Sequence, residues 1–299
     1  MIVYNNFKIT DSVKSEPLVT SIGGFDGIHL GHQALFKKAF DVSNAMFQIV
    51  TFNEIPKIFF NNDLKPLLDQ DQRSSLFENL SPKNIIFLDF KSVNKMNAQE
   101  FCLFLEHNLQ TEKLVIGKDF RFGNQRVGDV NTLINYFGEE NVTLLDDFLI
   151  SSEKVSTTKI RLFYAQGKIK EAEKYLGRPI SYTGNVVRGK RLGSSIGFPT
   201  ANIDIKNYIL ACPGVYSVKA KTSNNQKFIK GIANLGYRPT FNGKKILLEV
   251  HLFNFSGNLY NKYLTVEFFR FIRKEKKFKN VEQLKKQIKV DLSKAKKIK

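Results

Sequence analysis

The chain has 299 residues, 46 Lys+Arg against 28 Asp+Glu, and a net charge of +18. That length buries at least one sizeable core and favours two domains. Two cysteines, Cys102 in the apolar run 101–105 and Cys212 before Pro213, show no C-x-x-C spacing or Cys/His cluster, which argues against a disulfide framework or a zinc site. The opening MIVYNNFKITDSVKS has no long apolar stretch and none follows, so the expectation is a soluble cytoplasmic protein with no membrane partner. Charge is divided unevenly, −5 over residues 1–150 and +23 over residues 151–299. A basic half is either a footprint for nucleic acid or a lysine-tolerant surface serving anionic nucleotides. Abundant Lys, Asn, Ile and Phe without Trp points to compositional drift, and no specific nucleic-acid partner is expected.

In chain order, Leu18 to Ile22 reads as a short strand followed by Gly23-Gly24-Phe25-Asp26-Gly27-Ile28-His29-Leu30-Gly31-His32 and a helix opening at Gly31. Glycines let backbone approach a polyphosphate, and a helix N-terminus offers unpaired N–H groups and partial positive charge. The i, i+3 spacing puts His29 and His32 on one face of the first turn, where both can donate to the same phosphoryl oxygens. A plain strand-to-helix turn with solvated histidines is the competing reading. Met46 to Phe52 reads as a strand, Asp69 to Leu80 as a helix and Asn84 to Phe90 as a strand. Helix Asn97 to Leu109, strand Lys113 to Ile116, helix Val130 to Phe137 and strand Asn141 to Leu145 follow. Near-continuous apolar strands alternating with helices predict a parallel sheet covered on both faces, with ligands at the carboxyl ends of its strands.

Two short helices, about Thr157 to Gln166 and Lys168 to Leu176, connect the halves. From Tyr182 the texture changes to closely spaced runs, Tyr182 to Arg188, Gly214 to Thr222, Phe228 to Leu235, Ile246 to Phe255 and Leu264 to Ile272, predicting a small antiparallel barrel. Lys279 to Lys296 reads as a closing helix with Val281, Leu284, Ile288 and Leu292 on one face. The predicted domains are 1–178 and 179–299.

Three further segments carry chemistry. Val115 to Gly123 places a charged, glycine-flanked loop after a strand, with Arg126-Val127-Gly128-Asp129 beyond it. Ser156-Thr157-Thr158-Lys159-Ile160-Arg161 is a hydroxyl-rich helix start with Arg161 one turn inside, suited to anionic oxygens and a leaving pyrophosphate, or simply an N-cap and a solvated face. Together with the histidine turn these describe an adenylyl-transfer site, which needs position and positive charge rather than a nucleophilic side chain. In the second half, Gly193 to Asn202 is a glycine-bounded loop whose Thr200 hydroxyl and Asn202 amide suit magnesium, the alternative being a Pro-turn followed by an Asx-type turn. Glu249 lies inside an apolar strand, sharing a face with His251 while Val250 and Leu252 face the other way. Such a carboxylate is either paired to a cation or placed to accept a proton.

The residues Gly23 to His32, Gly117 to Gly128, Thr158 to Arg161, Gly197-Phe198-Pro199-Thr200-Ala201-Asn202, Asn234 to Phe241, Glu249-Val250-His251-Leu252 and Arg273-x-Glu275-x-x-Phe278 resemble, in order, the bacterial bifunctional riboflavin kinase/FAD synthetase family. The resemblance implies an α/β Rossmann-like nucleotidyltransferase domain that adenylates FMN, followed by a six-stranded riboflavin kinase β-barrel with a C-terminal helix, using ATP and Mg²⁺. It implies that His29, His32 and Arg161 handle the transferred phosphate and that Glu249 is the base for the ribityl hydroxyl. Thr200 and Asn202 would hold Mg²⁺. Gly23, Phe25, Asp26, Gly27, Gly31, Thr158, Gly193 and Gly197 would bind ATP or phosphate. Asp119, Phe120, Arg121, Phe122 and Arg126, and separately Arg273, Glu275 and Phe278, would contact flavin. The implied partners are riboflavin, FMN and ATP, with the chain a monomer or weak homo-oligomer.

The chain departs from the family pattern at four places, the mildest being Thr157 for serine, which keeps a hydroxyl. Thr51-Phe52-Asn53-Glu54-Ile55-Pro56 stands where the family has Thr-Phe-x-Pro-His-Pro, losing the middle proline and the histidine. Ser194 stands where arginine is common, with Lys190 and Arg191 as the nearby cations, and Asn261 replaces a glycine, a mild change because Asn tolerates positive φ. A riboflavin kinase with a degenerate first half, and a basic nucleic-acid-binding protein, are the alternatives.

Overall fold

The computed structural model describes all residues except Asn62, Lys190, Arg191, 206–210, Asn224, 241–242 and Lys299, and the side chains of 192, 194, 225–226, 237–240 and 243–245 are also outside the description. The Lys190/Arg191 expectation, the Ser194 side chain and, in the barrel motif, the side chains of Tyr237 to Thr240 and Phe241 therefore lie outside the description. The chain divides into two compact units, Met1–Thr157 and Thr158–Lys299.

In the first unit six parallel strands form one sheet: β1 (Ile2–Phe7), β2 (Leu18–Ile22), β3 (Phe47–Phe52), β4 (Asn84–Leu88), β5 (Thr111–Gly117) and β6 (Val142–Leu145), in the order β1-β4-β3-β2-β5-β6. Every residue of β2, β3 and β4 is buried, as a sheet covered on both faces requires. Alternation sends Val19, Ile49, Ile85, Phe87 and Val115 to one core with Leu35, Phe36 and Phe77. It sends Ile22, Val50, Ile86, Leu114 and Ile116 to the other with Phe101, Phe104 and Leu133. Burying one such phenylalanine or leucine stabilises the unit by roughly 1.5–3 kcal/mol. From β2 the chain builds outward through β3 and β4, then returns to the other side of β2 as β5 and β6. The reversal between β2 and β5 is a topological switch point, and the turns after these two strands are the Gly23–His32 and Gly117–Gly128 segments.

Three local differences from the sequence reading have physical causes. Strand β1 escaped notice because its pattern is that of a half-exposed edge, pairing only with β4. The strand expected to reach Phe90 stops at Leu88, where Asp89 caps a short helix, Phe90–Val93, by accepting from Lys91 N–H. The helix expected over Asn97 to Leu109 is α-helical over Ala98–Leu103 and then widens to a π-turn at Phe104–Asn108, with Phe104, Leu105 and Leu109 all buried. A small hairpin, β7 (Leu149–Ile150) with β8 (Glu153–Lys154), follows β6.

In the second unit, β9 (Ile180–Val187), β10 (Ala201–Asp204), β11 (Gly214–Thr222), β12 (Asn225–Thr240), β13 (Gly243–Leu252) and β14 (Tyr263–Lys274) close a barrel in the order β10-β13-β12-β11-β14-β9. Five of these were read from sequence. The sixth, β10, is the segment for which an Asx-type turn was the alternative, and its ladders to β9 and β13 replace that turn. Asn261 has φ +60°, the left-handed conformation that favours glycine and that Asn adopts more readily than other residues. Helices Thr157–Gln166 and Ile169–Leu176 precede the barrel, and Val281–Lys296 packs on it, capped by the Asn280 side chain on Gln283 N–H.

Candidate active sites

At the first unit's switch point, His29 is the N-cap of the helix Leu30–Ser43, and its Nδ1 accepts from the His32 backbone N–H at 3.3 Å. An accepting Nδ1 leaves the proton of a neutral imidazole on Nε2. The His29 and His32 rings are stacked, with centroids 3.6 Å apart and planes at 17°. The turn holds this arrangement by close packing. Gly27 has φ +82°, and a Cβ there would meet Leu67 Cδ1 at 2.6 Å. Phe25 turns inward, packing edge-on to Phe36 at 4.7 Å and to His32 at 5.2 Å. Asp26 is buried, its Oδ1 accepts Leu67 N–H at 2.7 Å, and its carbonyl accepts from Thr157 Oγ1 at 3.1 Å. Phe25 and Asp26, expected from the motif to contact nucleotide, build the turn from within. A Cβ on Gly23 would meet the Phe25 ring at 2.9 Å, and one on Gly31 would lie 3.3 Å from the His29 ring.

Across the switch point, Phe122 and Gly128 exchange backbone hydrogen bonds, pinching Gly117–Asp129 into a loop. Gly128 is required there, because a Cβ would sit 2.7 Å from the Phe122 ring. Phe122 is buried and stacks on Phe120 at 5.7 Å, while Arg126 is exposed. Arg121 pairs with Asp129 at 3.0 Å, and Asp129 caps the helix Val130–Phe137. The Thr132 N–H on its carboxylate holds Asp129 below the usual carboxylate range. Asp119 is held low by Lys154, which also pairs with Asp147 at 2.7 Å. The sequence reading missed Lys154, and its position two residues before Ser156 carries no signal until the β7–β8 hairpin brings it back over the loop. Thr158 and Arg161 lie in the first turns of the helix Thr157–Gln166, Thr158 exposed and Arg161 half-buried.

The second unit organises its site by register. Asn202 on β10 faces Glu249 on β13, Glu249 faces Asn234 on β12, Asn234 faces Val215 on β11, and Val215 faces Arg273 on β14. Directly opposed residues share a face. One transverse row therefore carries three of the predicted site residues. Leu248, Val250 and Leu252 are buried while Glu249 and His251 are half-buried, as the alternation predicted. Glu249, Asn234 and Thr200 line a cavity of about 320 Å³ whose far wall includes Leu284, Ile288 and Leu292 of the C-terminal helix.

The glycine loop forms the rim. Phe198 N–H donates to the Gly193 carbonyl at 2.8 Å, and Gly197 has φ +90°. His251 Nδ1 is 2.8 Å from the Pro199 carbonyl, which can only accept, so the Nδ1 carries the proton and clamps the loop. Asn202 is only 6% exposed, and a Cβ on Gly189 would lie 2.2 Å from its Nδ2. Among the described residues no cluster of three or more His, Cys, Asp or Glu could hold a metal. Thr200 and Asn202 instead offer two neutral hard oxygens in a cradle that a Cβ would fill, which fits Mg²⁺ completed by phosphate oxygens and water.

Arg273 is turned to a structural partner. Its Nε and Nη2 donate to Asp291 Oδ2 at 2.9 and 2.8 Å, and Asp291 is 2% exposed. Its guanidinium lies 5.8 Å from the Phe278 ring centre. Glu275 reaches so near the β12 backbone that a Cβ on Gly236 would meet its Oε1 at 2.0 Å. Arg273, Glu275 and Phe278 all line the cavity, and Arg273 is anchored through Asp291.

A riboflavin kinase family model matches residues 176–299, and an FAD synthetase family model matches residues 11–159. The bifunctional riboflavin kinase/FMN adenylyltransferase of Buchnera aphidicola from Schizaphis graminum is 37% identical, covering 93% of this chain and 92% of that protein. The Haemophilus influenzae protein of the same name is 35% identical, over 92% of each. A crystal structure from Streptococcus pneumoniae, named as a macrolide-efflux protein, has a TM-score of 0.91 at 30% identity over 100% of both chains. Among the described residues no helix is long and apolar enough to cross a membrane. With both family models matching in order and relatives above 30% identity spanning nearly the whole length, the chain belongs to the bifunctional riboflavin kinase/FMN adenylyltransferase family.

Proposed function

We propose that the chain phosphorylates riboflavin to FMN with ATP in residues 179–299 and adenylates FMN to FAD, releasing pyrophosphate, in residues 1–178. The observation that carries this reading is, in one unit, the transverse Asn202–Glu249–Asn234 row, of which Glu249 and Asn234 line a ligand-sized cavity, and, in the other unit taken by itself, a stacked histidine pair on a helix N-terminus. In the kinase step Glu249 takes the proton of the ribityl hydroxyl as its oxygen attacks the γ-phosphorus, and the bond to ADP breaks. Thr200 and Asn202 would hold Mg²⁺, which when bound neutralises phosphate charge. The His251 clamp and the Gly193–Gly197 loop border the ATP phosphates, and the Arg273–Phe278 segment covers the flavin.

In the adenylyl step an FMN phosphate oxygen attacks the α-phosphorus of ATP. His29 and His32 donate to the α-phosphate oxygens as charge builds, and the Gly23–Gly31 turn supplies backbone N–H groups. The Asp119–Arg126 loop takes the flavin. Incubation with riboflavin, ATP and Mg²⁺ followed by chromatography should give FMN and then FAD. FMN alone would remove the adenylyl half of the reading, and neither product would remove both.

The protein is proposed to act in the cytoplasm as a monomer or weak homo-oligomer with no specific nucleic-acid partner. Any RNA binding by the basic half should be weak and vanish near physiological salt, since phosphate-tracking affinity falls by roughly one logarithmic unit per contact per tenfold salt. Tight, sequence-selective binding to a titrated RNA would overturn that last statement.

A further inference from the structure

Arg73 is 2% exposed, on the helix Gln70–Glu78 beneath the carboxyl end of β3. Its Nη2 donates to the carbonyls of Phe52 at 2.9 Å and Asn53 at 3.1 Å, and its Nη1 to Thr51 Oγ1 at 3.3 Å. Thr51 Oγ1 in turn donates to the Gly24 carbonyl at 3.4 Å. One guanidinium thus ties the segment after β3 to the phosphate turn after β2. This segment lacks the proline and histidine of the Thr-Phe-x-Pro-His-Pro pattern. Ile55 instead packs against the turn, its Cγ2 3.3 Å from where a Gly24 Cβ would be.

A guanidinium buried with its hydrogen bonds on neutral oxygens is costly. Burial lowers its pKa to about 10, opposed by the charges of Asp26 and Asp69, so it remains a cation at neutral pH. Asp26 belongs to the phosphate turn itself. The cation therefore sits where it orders two loops at once, beside the strand end at which ATP phosphates are expected.

We propose that Arg73 is a positioning residue for adenylyl transfer, holding Thr51–Asn53 against Gly24 so that the phosphate turn is preformed for ATP. The role rests on the adenylyl-transfer reading of the His29/His32 turn. It acts through backbone and Thr51, so it should appear in ATP affinity before turnover.

The test uses the full chain, with FAD formation from supplied FMN and FMN formation from riboflavin measured in the same preparation. Arg73→Met should raise the KM for ATP in FAD formation about tenfold or more with a smaller change in kcat, while riboflavin phosphorylation stays within about twofold. Arg73→Lys, which keeps a donor for one carbonyl, should recover part of the loss. If Arg73→Met does not fold, Thr51→Val removes the hydroxyl that accepts from Arg73 Nη1 and donates to the Gly24 carbonyl, leaves the Arg73 bonds to the Phe52 and Asn53 carbonyls, and should raise the same KM about threefold. FAD formation at unchanged ATP KM in folded Arg73→Met, or in Thr51→Val where Arg73→Met fails to fold, would overturn the positioning role alone. A wild-type chain that makes FMN but no FAD from supplied FMN would overturn the adenylyl reading and the role with it.

Discussion

Asn202 and Glu249 stand directly opposite each other across β10 and β13, which puts an amide and a carboxylate side chain on the same face of the barrel, Glu249 lining the cavity. Neither residue is near the other in sequence. The register of a closed barrel creates the pair, and Asn234 extends it on the next strand.

That relationship makes Glu249→Gln the cleanest change in the kinase half, because it keeps shape and hydrogen-bonding capacity and removes basicity. A general base contributes about 10² to 10⁴ in rate. Riboflavin phosphorylation should fall by that amount, with flavin affinity within a few-fold and FAD formation from supplied FMN intact. Steady-state turnover and fluorescence titration with riboflavin check this, and normal turnover would remove Glu249 from the mechanism.

The Arg273–Asp291 ion pair predicts how the cavity is closed. Breaking one side of a buried pair costs about 3–5 kcal/mol, and the partial exposure of Arg273 puts Asp291→Ala at the low end. Because the C-terminal helix supplies the far wall, the variant should melt earlier and bind riboflavin more weakly. Calorimetry and riboflavin KM measure the two effects, and a variant with both unchanged would leave the ion pair without a role in the wall.

Asp119 and Asp129 both have folded pKa values below the ordinary aspartate value of about 3.9. A lowered carboxylate pKa means the unfolded state binds more protons in the window between the two values. Their stabilisation is therefore full above the unfolded pKa and is lost as pH falls through the folded one. The Gly117–Thr132 region should loosen locally in acid, read as lost hydrogen-exchange protection at Thr132 N–H. Asp129→Asn keeps a capping oxygen without the titration, so protection at that amide should no longer depend on pH. Identical acid loss in the variant would assign the loosening to other groups.

Much of this was legible in the sequence because local signals and tertiary structure agree. The turn from Gly23 to His32, the helix Val130–Phe137 and the strand Gly214–Thr222 were read from apolar pattern and glycines, and tertiary packing preserves them. The two-histidine site was legible for the same reason, since i, i+3 spacing on a helix start is local geometry. The side chains that organise the sites were not. Arg73, Lys154 and Asp291 gain meaning only from partners far along the chain, and an isolated Arg or Lys in sequence reads as a solvated charge. Strand β10 was hidden by its brevity and by Pro199 before it.

The account's central claim is that two chemistries occupy separate sites in one chain, and His32→Ala in the full-length protein tests it most directly. Removing one donor to the transition-state phosphate should lower FAD formation from supplied FMN by about 10² to 10³. Riboflavin phosphorylation, measured in the same sample, should remain within about twofold of the unaltered chain. Loss of both activities in a folded His32→Ala protein would contradict the account and require a single shared nucleotide site.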